Sequence, residues 1–301
     1  MPPNPRYVMK YKFLGKTHEK LSEIGVGTWE LGNDYEENKK AMEFAINNGV
    51  NIIDTAEIYG TESFVGDVIK GRTNLFITTK VWATHFKRHG IMKACERSLK
   101  TLQIKQIDLY QLHWPNPIVD IKETMRAMEE LIYNGKIRYI GVSNFNKKQL
   151  IDAQNALSRC DIVSNQVEYN IVNRRAEIEL MDYMKKERIT LMAYSPFAHG
   201  AIFKRKYGKL LKSIKVLSKK YEATPSQIIL NWLMNKDIVI PLTKASKLAH
   251  MVENINTTRF NINPEDNDYI NKLTSVTSSS GVSMFKIMIE FYVALFSMFK
   301  R

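Results

Sequence analysis

The sequence predicts a (β/α)8 barrel, and three observations lead to this fold class. Short apolar segments rich in β-branched residues alternate with segments of helical periodicity along most of the chain, which is typical of a parallel sheet. Eight such strands can be counted, the number that closes this barrel. Three of them end in a titratable residue, Asp54, Lys80 or His113. Because active sites lie at the carboxyl ends of barrel strands, these residues are candidates for one site.

An N-terminal β-hairpin comes first. Residues 10–22 alternate around a Gly15–Lys16 turn, and we expect this hairpin to close one end of the barrel. The strands that follow are predicted, in chain order, at residues 23–27, 50–54, 75–80, 107–114, 139–142, 162–167, 189–193 and 238–242.

The helices are predicted between these strands and after the last one. Glycines 49, 71 and 135 end three of them, and Thr224–Pro225 supplies an N-cap and a first helical residue. Their ranges are 36–48, 62–70, 91–102, 121–134, 147–157, 176–187, the pair 210–221 and 226–235, then 248–257 and 263–273. No internal repeat or linker divides this region, so residues 1–274 are treated as one barrel domain.

The C-terminal segment differs from the barrel in composition. Residues 275–281 are rich in Ser and Thr and predict a flexible linker. In residues 282–301 the segment from Met284 to Phe299 is mainly apolar and has only Lys286 and Glu290 as charged residues, and it is short for a membrane span of about 20 residues. We predict an extra apolar helix. It could pack on the barrel, contact a membrane surface or partner protein, or form a dimer surface.

Composition narrows the class of protein. The chain has 301 residues, 44% hydrophobic and 25% charged, as in soluble globular proteins. Cys95 and Cys160 are expected to be reduced thiols, as in a cytoplasmic protein. Residues 282–301 could additionally place the protein at the periphery of a membrane. No signal peptide is expected at its start. The net charge is +13. Because the lysines are distributed and no nucleic-acid-binding module is found, we do not expect nucleic-acid binding. We expect a monomer or a small homo-oligomer.

The residue types at the strand ends suggest proton transfer. Tyr59 follows Asp54 by five residues. A tyrosine has a pKa of about 10, so its anion must be stabilised before it can donate its proton near neutral pH. A lysine ammonium such as Lys80 can lower that pKa, and a carboxylate can hold the lysine. A neutral histidine, His113, can donate a hydrogen bond to a carbonyl oxygen. The set does not fit nucleophilic hydrolysis or a zinc site, so no metal is predicted.

A carbonyl that accepts a proton also needs a hydride, which no side chain supplies, so a nicotinamide or flavin is implied. The glycine fingerprint of dinucleotide-binding domains is missing, because Glu30 stands where the third glycine after Gly25 and Gly27 would fall. A cofactor site of the barrel type remains.

Several motifs together resemble the aldo-keto reductases, in particular prokaryotic-type members with short substrate loops. The resemblance covers about residues 10–274. Its motifs are D-T-A-x-x-Y-G at 54–60, G-V-S-N-F at 141–145, N-Q-V-E-Y-N at 165–170, Y-S-P at 194–196 and I-P-x-x-K at 240–244, followed by Glu253-Asn254.

The resemblance implies roles for the strand-end residues. It implies that Tyr59 is the general acid/base, Lys80 the group that lowers its pKa, Asp54 the anchor of Lys80, and His113 the donor that orients the carbonyl.

The resemblance also implies a site for NADPH. The nicotinamide carboxamide would contact Ser143, Asn144 and Gln166, and the nicotinamide ring would stack on Tyr194. The pyrophosphate would contact Ser195 and Phe197, and the 2′-phosphate would contact Lys244, Ser246 and His250. The adenine would contact Glu253 and Asn254, and Thr28 is a further cofactor residue. The alternative is that Asn144, Gln166 and Tyr194 are polar core residues and that Ser195 caps a turn.

Two positions depart from the family. His250 stands where many members have arginine, and Ala245 replaces a common hydroxyl. Both changes weaken phosphate binding, because histidine cannot donate the two parallel hydrogen bonds that arginine can and alanine has no hydroxyl donor. Lys244 and Ser246 favour NADPH, and NADH is the alternative.

The substrate pocket is predicted from three tryptophans at strand ends. Trp29, Trp82 and Trp114 either wall the pocket or pack at its rim. The loop 114–120 is short, which predicts an open pocket for small aldehydes, ketoaldehydes or aromatic aldehydes. Two functions follow: an NADPH-dependent carbonyl reductase, or a cofactor-binding regulatory or scaffold subunit docked to a membrane or partner through residues 282–301.

Overall fold

Eight parallel strands close into a barrel in the computed structural model, which describes residues 9–244 and 246–274. The first eight residues, Ala245, the predicted linker at 275–281 and the predicted apolar helix at 282–301 lie outside the described residues. The predictions made for them are therefore not tested.

The strands lie close to their predicted positions. A two-stranded antiparallel hairpin precedes the barrel, whose closed order is β10-β3-β4-β5-β6-β7-β8-β9. The strands are β1 Tyr11–Phe13, β2 Lys20–Ser22, β3 Gly25–Gly27, β4 Ile52–Asp54, β5 Phe76–Val81, β6 Ile107–Leu112, β7 Ile137–Ser143, β8 Ile162–Glu168, β9 Thr190–Tyr194 and β10 Val239–Thr243. The (β/α)8 barrel and the N-terminal hairpin are thereby confirmed.

The helices cover the outside of the barrel. They are α1 Tyr35–Asn47, α2 Glu62–Ile69, α3 Arg88–Leu102, α4 Ile121–Tyr133, α5 Lys147–Asn155, α6 Leu180–Lys186, α7 Gly208–Lys220, α8 Pro225–Met234, α9 Leu248–Asn256 and α10 Pro264–Leu273. The predicted cap of α8 is present: Thr224 accepts a hydrogen bond from the backbone of Gln227, whose side chain accepts one in return from the backbone N–H of Thr224.

One predicted helix is interrupted. The segment 176–187 is a 3-10 turn over Arg175–Glu177 followed by α6, and not one continuous helix. Glu177 turns inward to contact Arg174 and the Tyr169 hydroxyl, and Glu179 has a non-helical backbone (φ −143°). The local apolar periodicity could not show this inward contact.

The barrel interior contains an apolar layer that the hairpin completes. Leu14 and Leu21 of the hairpin are buried against inward-facing residues of the strands, such as Phe76 and Ile240. The apolar layer lies on the amino-terminal side of the strands. Polar side chains, among them Thr78, Lys80 and Gln166, occupy later strand positions and are also buried. The barrel is thus plugged at one end and carries its polar groups toward the other.

Lys12 joins the hairpin to the barrel. Its Nζ donates to the carbonyl oxygens of Met234 at 2.6 Å, Lys236 at 2.8 Å and Val239 at 2.8 Å. Burial lowers the pKa of Lys12 to about 8. The three carbonyls belong to the end of α8, the turn after it and the start of β10, so this contact holds the plug against the last strand of the barrel.

Among residues 9–244 and 246–274, no helix combines the length and the apolar character needed to cross a bilayer.

We expect Lys12→Met to lower the free energy of unfolding by about 2–4 kcal/mol, because three carbonyl acceptors lose their donor. Chemical denaturation measures this loss. Lys10→Met, at an exposed position of the same segment, is the control and should change stability by less than about 0.5 kcal/mol. Equal losses in the two variants would show that the three-carbonyl contact does not hold the hairpin in place.

Candidate active site

A cleft of about 640 Å³ opens at the carboxyl end of the barrel strands. Thirteen of the predicted site residues line it: Trp29, Asp54, Tyr59, Trp82, His113, Trp114, Ser143, Asn144, Gln166, Tyr194, Ser195, Phe197 and Lys244. These residues come from loops and strand ends far apart in sequence, so the closed barrel is what brings them together.

Asp54 is the centre of a buried polar network beneath the cleft. One carboxylate oxygen accepts a hydrogen bond from Lys80 Nζ at 2.6 Å. The other accepts from Thr78 Oγ1 at 2.5 Å and from Gln166 Nε2 at 2.9 Å. Asp54 is 3% exposed and Lys80 is 0% exposed. A buried charge needs such partners, because the group has lost the hydration it has in water.

Lys80 lies between this network and the tyrosine. Its Nζ also donates to the carbonyl oxygen of Thr55 at 2.9 Å, and it lies 4.9 Å from the centroid of the Tyr59 ring. Burial lowers the pKa of Lys80, and the charge of Asp54 opposes that shift. The carboxylate therefore favours the charged form of a lysine that contacts the tyrosine ring.

Tyr59 is held by a short 3-10 turn. The turn spans Glu57–Tyr59 and ends at Gly60, whose φ of 69° suits glycine. Burial, and secondarily the charge of Asp54, raise the pKa of Tyr59 well above its usual value. The resting tyrosine thus holds its proton, as a proton donor must. The expected pKa-lowering effect of Lys80 is smaller than the effect of burial in the resting site, and it stays a prediction.

His113 faces Tyr59 across the cleft floor. Its Nε2 lies 3.3 Å from the Tyr59 hydroxyl. Burial, and then the charge of Lys80, hold the pKa of His113 well below its usual 6.5. Its Nδ1 has no hydrogen-bond partner among the described residues. A neutral imidazole carries one N–H, and the tautomer with its proton on Nε2 is the one that can donate a hydrogen bond toward the Tyr59 hydroxyl and the cleft.

A second group of polar side chains lies beside the catalytic candidates. Ser143 Oγ donates to the carbonyl oxygen of Gln166 at 2.8 Å. Asn144, whose φ is 64°, donates from Nδ2 to the carbonyl oxygen of His113 at 3.1 Å. Tyr194 donates to Asn144 Oδ1 at 2.9 Å. The structure brings all four predicted residues of this group together, and their contacts fix the orientation of each amide.

The segment after β9 forms another wall of the cleft. Ser195, with a φ of 49°, lies 3.1 Å by its Oγ from His199 Nε2. The His199 ring meets Trp29 edge-on, with centroids 5.4 Å apart. Phe197 lines the cleft on the same side. This segment therefore reaches across to the loop that follows β3.

The far end of the predicted cofactor site is more open. Lys244 is exposed and donates to the carbonyl oxygen of Glu30 at 3.0 Å. Ser246 Oγ accepts a weak hydrogen bond from Gly32 N at 3.4 Å. His250 has a side chain that is 66% exposed, with Nδ1 3.8 Å from Glu253 Oε2. These residues follow β10, close to the loop after β3.

Some predicted residues do not line the cleft. Thr28 is fully buried below it and donates to the carbonyl oxygen of Asp54 at 3.1 Å. Asn254 is buried on α9, and Glu253 accepts a hydrogen bond from Thr224 at 2.5 Å. Ser246 and His250 also lie outside the cleft lining. A direct contact with a cofactor in the cleft is therefore better supported for Lys244 than for the buried Thr28 and Asn254.

The three tryptophans lie on the cleft wall. Trp29 is 39% exposed. Trp82 meets the His113 ring edge-on at 5.3 Å between centroids, and Trp114 lines the same cavity. Their place on the wall agrees with the pocket interpretation, and their part in binding a substrate stays a prediction.

Glu57 is a site residue that the sequence did not reveal. Its carboxylate accepts hydrogen bonds from the backbone N–H of Trp82, and it lies 3.0 Å from His85 Nδ1 and 2.9 Å from Arg97 Nη2. These contacts connect the loop that carries Tyr59 with the loop that carries Trp82. Nothing in the local sequence marks Glu57, because all three partners are more than twenty residues away.

Within residues 9–244 and 246–274 no group of three or more His, Cys, Asp or Glu side chains is arranged to hold a metal ion.

The chain belongs to the aldo/keto reductase family of oxidoreductases, whose sequence model matches residues 23–275. It is 37% identical over 256 residues to a glyoxal reductase of Bacillus subtilis, covering 83% of this chain and 87% of that protein. It is 33% identical over 243 residues to a methylglyoxal reductase of Escherichia coli, covering 78% and 84%.

Solved structures agree with this assignment. A thermostable aldo-keto reductase in complex with the inhibitor epalrestat superposes with a TM-score of 0.83 at 38% identity, covering 88% of this chain and 100% of that one. An aldo/keto reductase from Klebsiella pneumoniae, in complex with NADP and acetate, superposes with a TM-score of 0.79 at 30% identity, covering 88% and 95%.

The depressed pKa of His113 predicts a specific loss of stability in acid. The unfolded chain takes up a proton near pH 6.5 and the folded one only at lower pH. This contribution to stability is therefore complete above pH 6.5 and declines as pH falls below it, by at most about 1.4 kcal/mol per pH unit. We expect His113→Asn to lose less stability than the wild type between about pH 7 and about pH 5.

Urea unfolding at several pH values measures this difference. His18→Asn, at an exposed position, is the control and should follow the wild type. An identical pH dependence in His113→Asn and the wild type would show that His113 is not held neutral by burial.

Proposed function

We propose that this protein reduces aldehydes and ketones with NADPH, taking the hydride from the nicotinamide and the proton from Tyr59. The observation that carries the proposal is the arrangement of Tyr59 and His113 at the cleft floor, above the buried Lys80–Asp54 pair. A tyrosine hydroxyl and a neutral imidazole 3.3 Å apart can both reach one carbonyl oxygen.

The donor set of the cleft fits a nicotinamide dinucleotide. Ser143, Asn144 and Gln166 offer hydroxyl and amide groups for a carboxamide, and each retains a donor or acceptor beyond its present contacts. The Tyr194 ring offers a flat surface beside them, and Lys244 places a cation farther along the cleft. When bound, the cofactor supplies the hydride.

Tyr59 and His113 act together on the substrate oxygen. His113 donates from Nε2 and fixes the direction of the carbonyl. Negative charge builds on that oxygen as the carbonyl carbon is reduced, and Tyr59 transfers its proton to it. The Lys80 ammonium, 4.9 Å from the ring centroid, stabilises the phenolate that remains. Asp54 keeps Lys80 charged and in place.

Burial strengthens these interactions. Lys80 is fully buried, and His113 and Asp54 are nearly so. In a site that excludes water, a fixed charge acts on the transition state more strongly than it would in solvent. The same burial keeps His113 neutral, so it donates a hydrogen bond without adding a charge that would compete with Lys80.

The substrate class follows from the cleft wall and the relatives. Tryptophan rings line the cleft, and its mouth is open to solvent. The related enzymes of Escherichia coli and Bacillus subtilis are named for methylglyoxal and glyoxal. These facts support small ketoaldehydes and dialdehydes, together with aromatic aldehydes that stack on the tryptophans. The alternative role as a scaffold subunit depends on residues 282–301, and no observation in the described residues favours it.

Tyr59→Phe should reduce the rate of carbonyl reduction by about 10²–10⁴-fold, because the general acid is lost. NADPH consumption with methylglyoxal and a benzaldehyde measures turnover, and fluorescence titration measures NADPH binding, which should be unchanged. Tyr133→Phe, at a tyrosine that is 88% exposed, is the control and should keep full activity. Turnover by Tyr59→Phe close to that of the wild type would refute the assignment of the acid.

The cofactor preference depends on the cation near the far end of the cleft. We expect the wild type to bind NADPH more tightly than NADH, and Lys244→Met to lose at least about 1 kcal/mol of this preference, since the 2′-phosphate loses a cation. Lys272→Met, at an exposed position on α10, is the control. Equal dissociation constants for the two cofactors in the wild type would contradict the preference.

A further inference from the structure

Basic residues are concentrated in one part of the surface, although lysines occur throughout the chain. Residues 188–221 contain no Asp or Glu. Within them, the stretch 204–220 holds eight of the 44 basic residues: Lys204, Arg205, Lys206, Lys209, Lys212, Lys215, Lys219 and Lys220. All eight are exposed. The net charge of the whole chain does not reveal this concentration. It becomes visible only when acidic and basic residues are counted together within this segment.

Helix α7 separates this charge from the core. Its buried face carries Leu210, Ile214 and Leu217, at intervals of four and three residues. The opposite face carries lysines at 209, 212, 215 and 219. Among the described residues, Lys220 is the only member of the basic stretch in an ion pair, with Asp266 of α10 at 2.6 Å. The other seven side chains are exposed, and none of them forms an ion pair with a carboxylate of residues 9–244 or 246–274.

A groove of about 320 Å³ lies at the start of this surface. Phe203 and Leu211 provide apolar surface in it, and Lys204, Arg205, Lys212 and Lys215 provide cations around it. Phe203 is 44% exposed, and Val216 nearby on α7 is 64% exposed. We call these residues, together with Lys206, Lys209 and Lys219, the basic face.

We propose that the basic face binds the surface of a bilayer that contains anionic phospholipids. Clustered lysines are attracted to a negative membrane surface by about 1 kcal/mol each. Exposed apolar side chains between the cations suit an interface whose interior is apolar and whose border carries phosphates. A nucleic-acid duplex would contact the cations through its phosphates and leave the exposed side chains of Phe203 and Val216 unburied, so the combination favours the lipid surface.

The basic face adjoins the cleft. The Phe203 ring lies 5.9 Å, between centroids, from the ring of Phe197, which lines the cleft. Binding at the basic face therefore places the cleft beside the bilayer surface. The proposal concerns a surface and does not depend on the reductase reaction.

Vesicle sedimentation of the full-length protein tests the proposal. The vesicles contain phosphatidylcholine with about one-third phosphatidylserine, or phosphatidylcholine alone, at about 0.15 M salt. The test variant combines Lys204→Gln, Arg205→Gln, Lys212→Gln and Lys215→Gln. The control removes the same charge elsewhere with Lys70→Gln, Lys93→Gln, Lys100→Gln and Lys105→Gln, all exposed positions. Circular dichroism and thermal unfolding without vesicles check that both variants are folded.

The wild type should bind the anionic vesicles, bind the neutral ones much less, and dissociate as salt is raised. The test variant should bind the anionic vesicles at least about tenfold more weakly, and the control should stay within about threefold of the wild type. Equal binding to neutral vesicles, or an equal loss in the control, would overturn the proposal. Tighter binding of a random DNA duplex than of anionic vesicles at the same salt would overturn it as well.

Discussion

The candidate site depends on one interaction, the buried ion pair between Asp54 and Lys80. Neither charge would be stable alone at this depth, since each would lose its hydration without a partner. Their contact of 2.6 Å keeps a cation at the face of the Tyr59 ring. That cation also disfavours a charge on His113. One pair thus influences two groups that can contact a substrate oxygen.

The barrel makes this pair possible. Asp54 ends β4 and pairs in register with Thr78 of β5, and Lys80 lies two residues further along the same strand. Side chains two apart on a strand point to the same side, so Thr78 and Lys80 both reach Asp54. The hairpin and the apolar layer close the other end of the barrel, which leaves the cleft as the route to these groups.

The sequence predicted the elements that depend on local pattern and the residues that end strands. Asp54, Lys80 and His113 could be predicted as one site because the carboxyl ends of parallel strands meet at one face. Thr78 could have been found from its spacing of two from Lys80. Glu57 and the break before α6 could not, because their causes are side-chain contacts between distant segments. The basic face could be predicted only in part. The sequence shows its charges, but the structure is needed to show that α7 turns them away from the core.

The central claim is that the Lys80 ammonium, held by Asp54, stabilises the Tyr59 phenolate. Alcohol oxidation tests it directly, because Tyr59 must then act as the base. The measurement is the apparent pKa in the pH profile of kcat, compared between the wild type and the double variant Lys80→Met with Asp54→Asn, which removes both charges together. The account predicts a higher apparent pKa in the double variant, because the phenolate has lost the ammonium beside its ring. A lower value would show that the charge of Asp54 outweighs that of Lys80, an unchanged value would show that the two effects cancel, and either result would contradict the account.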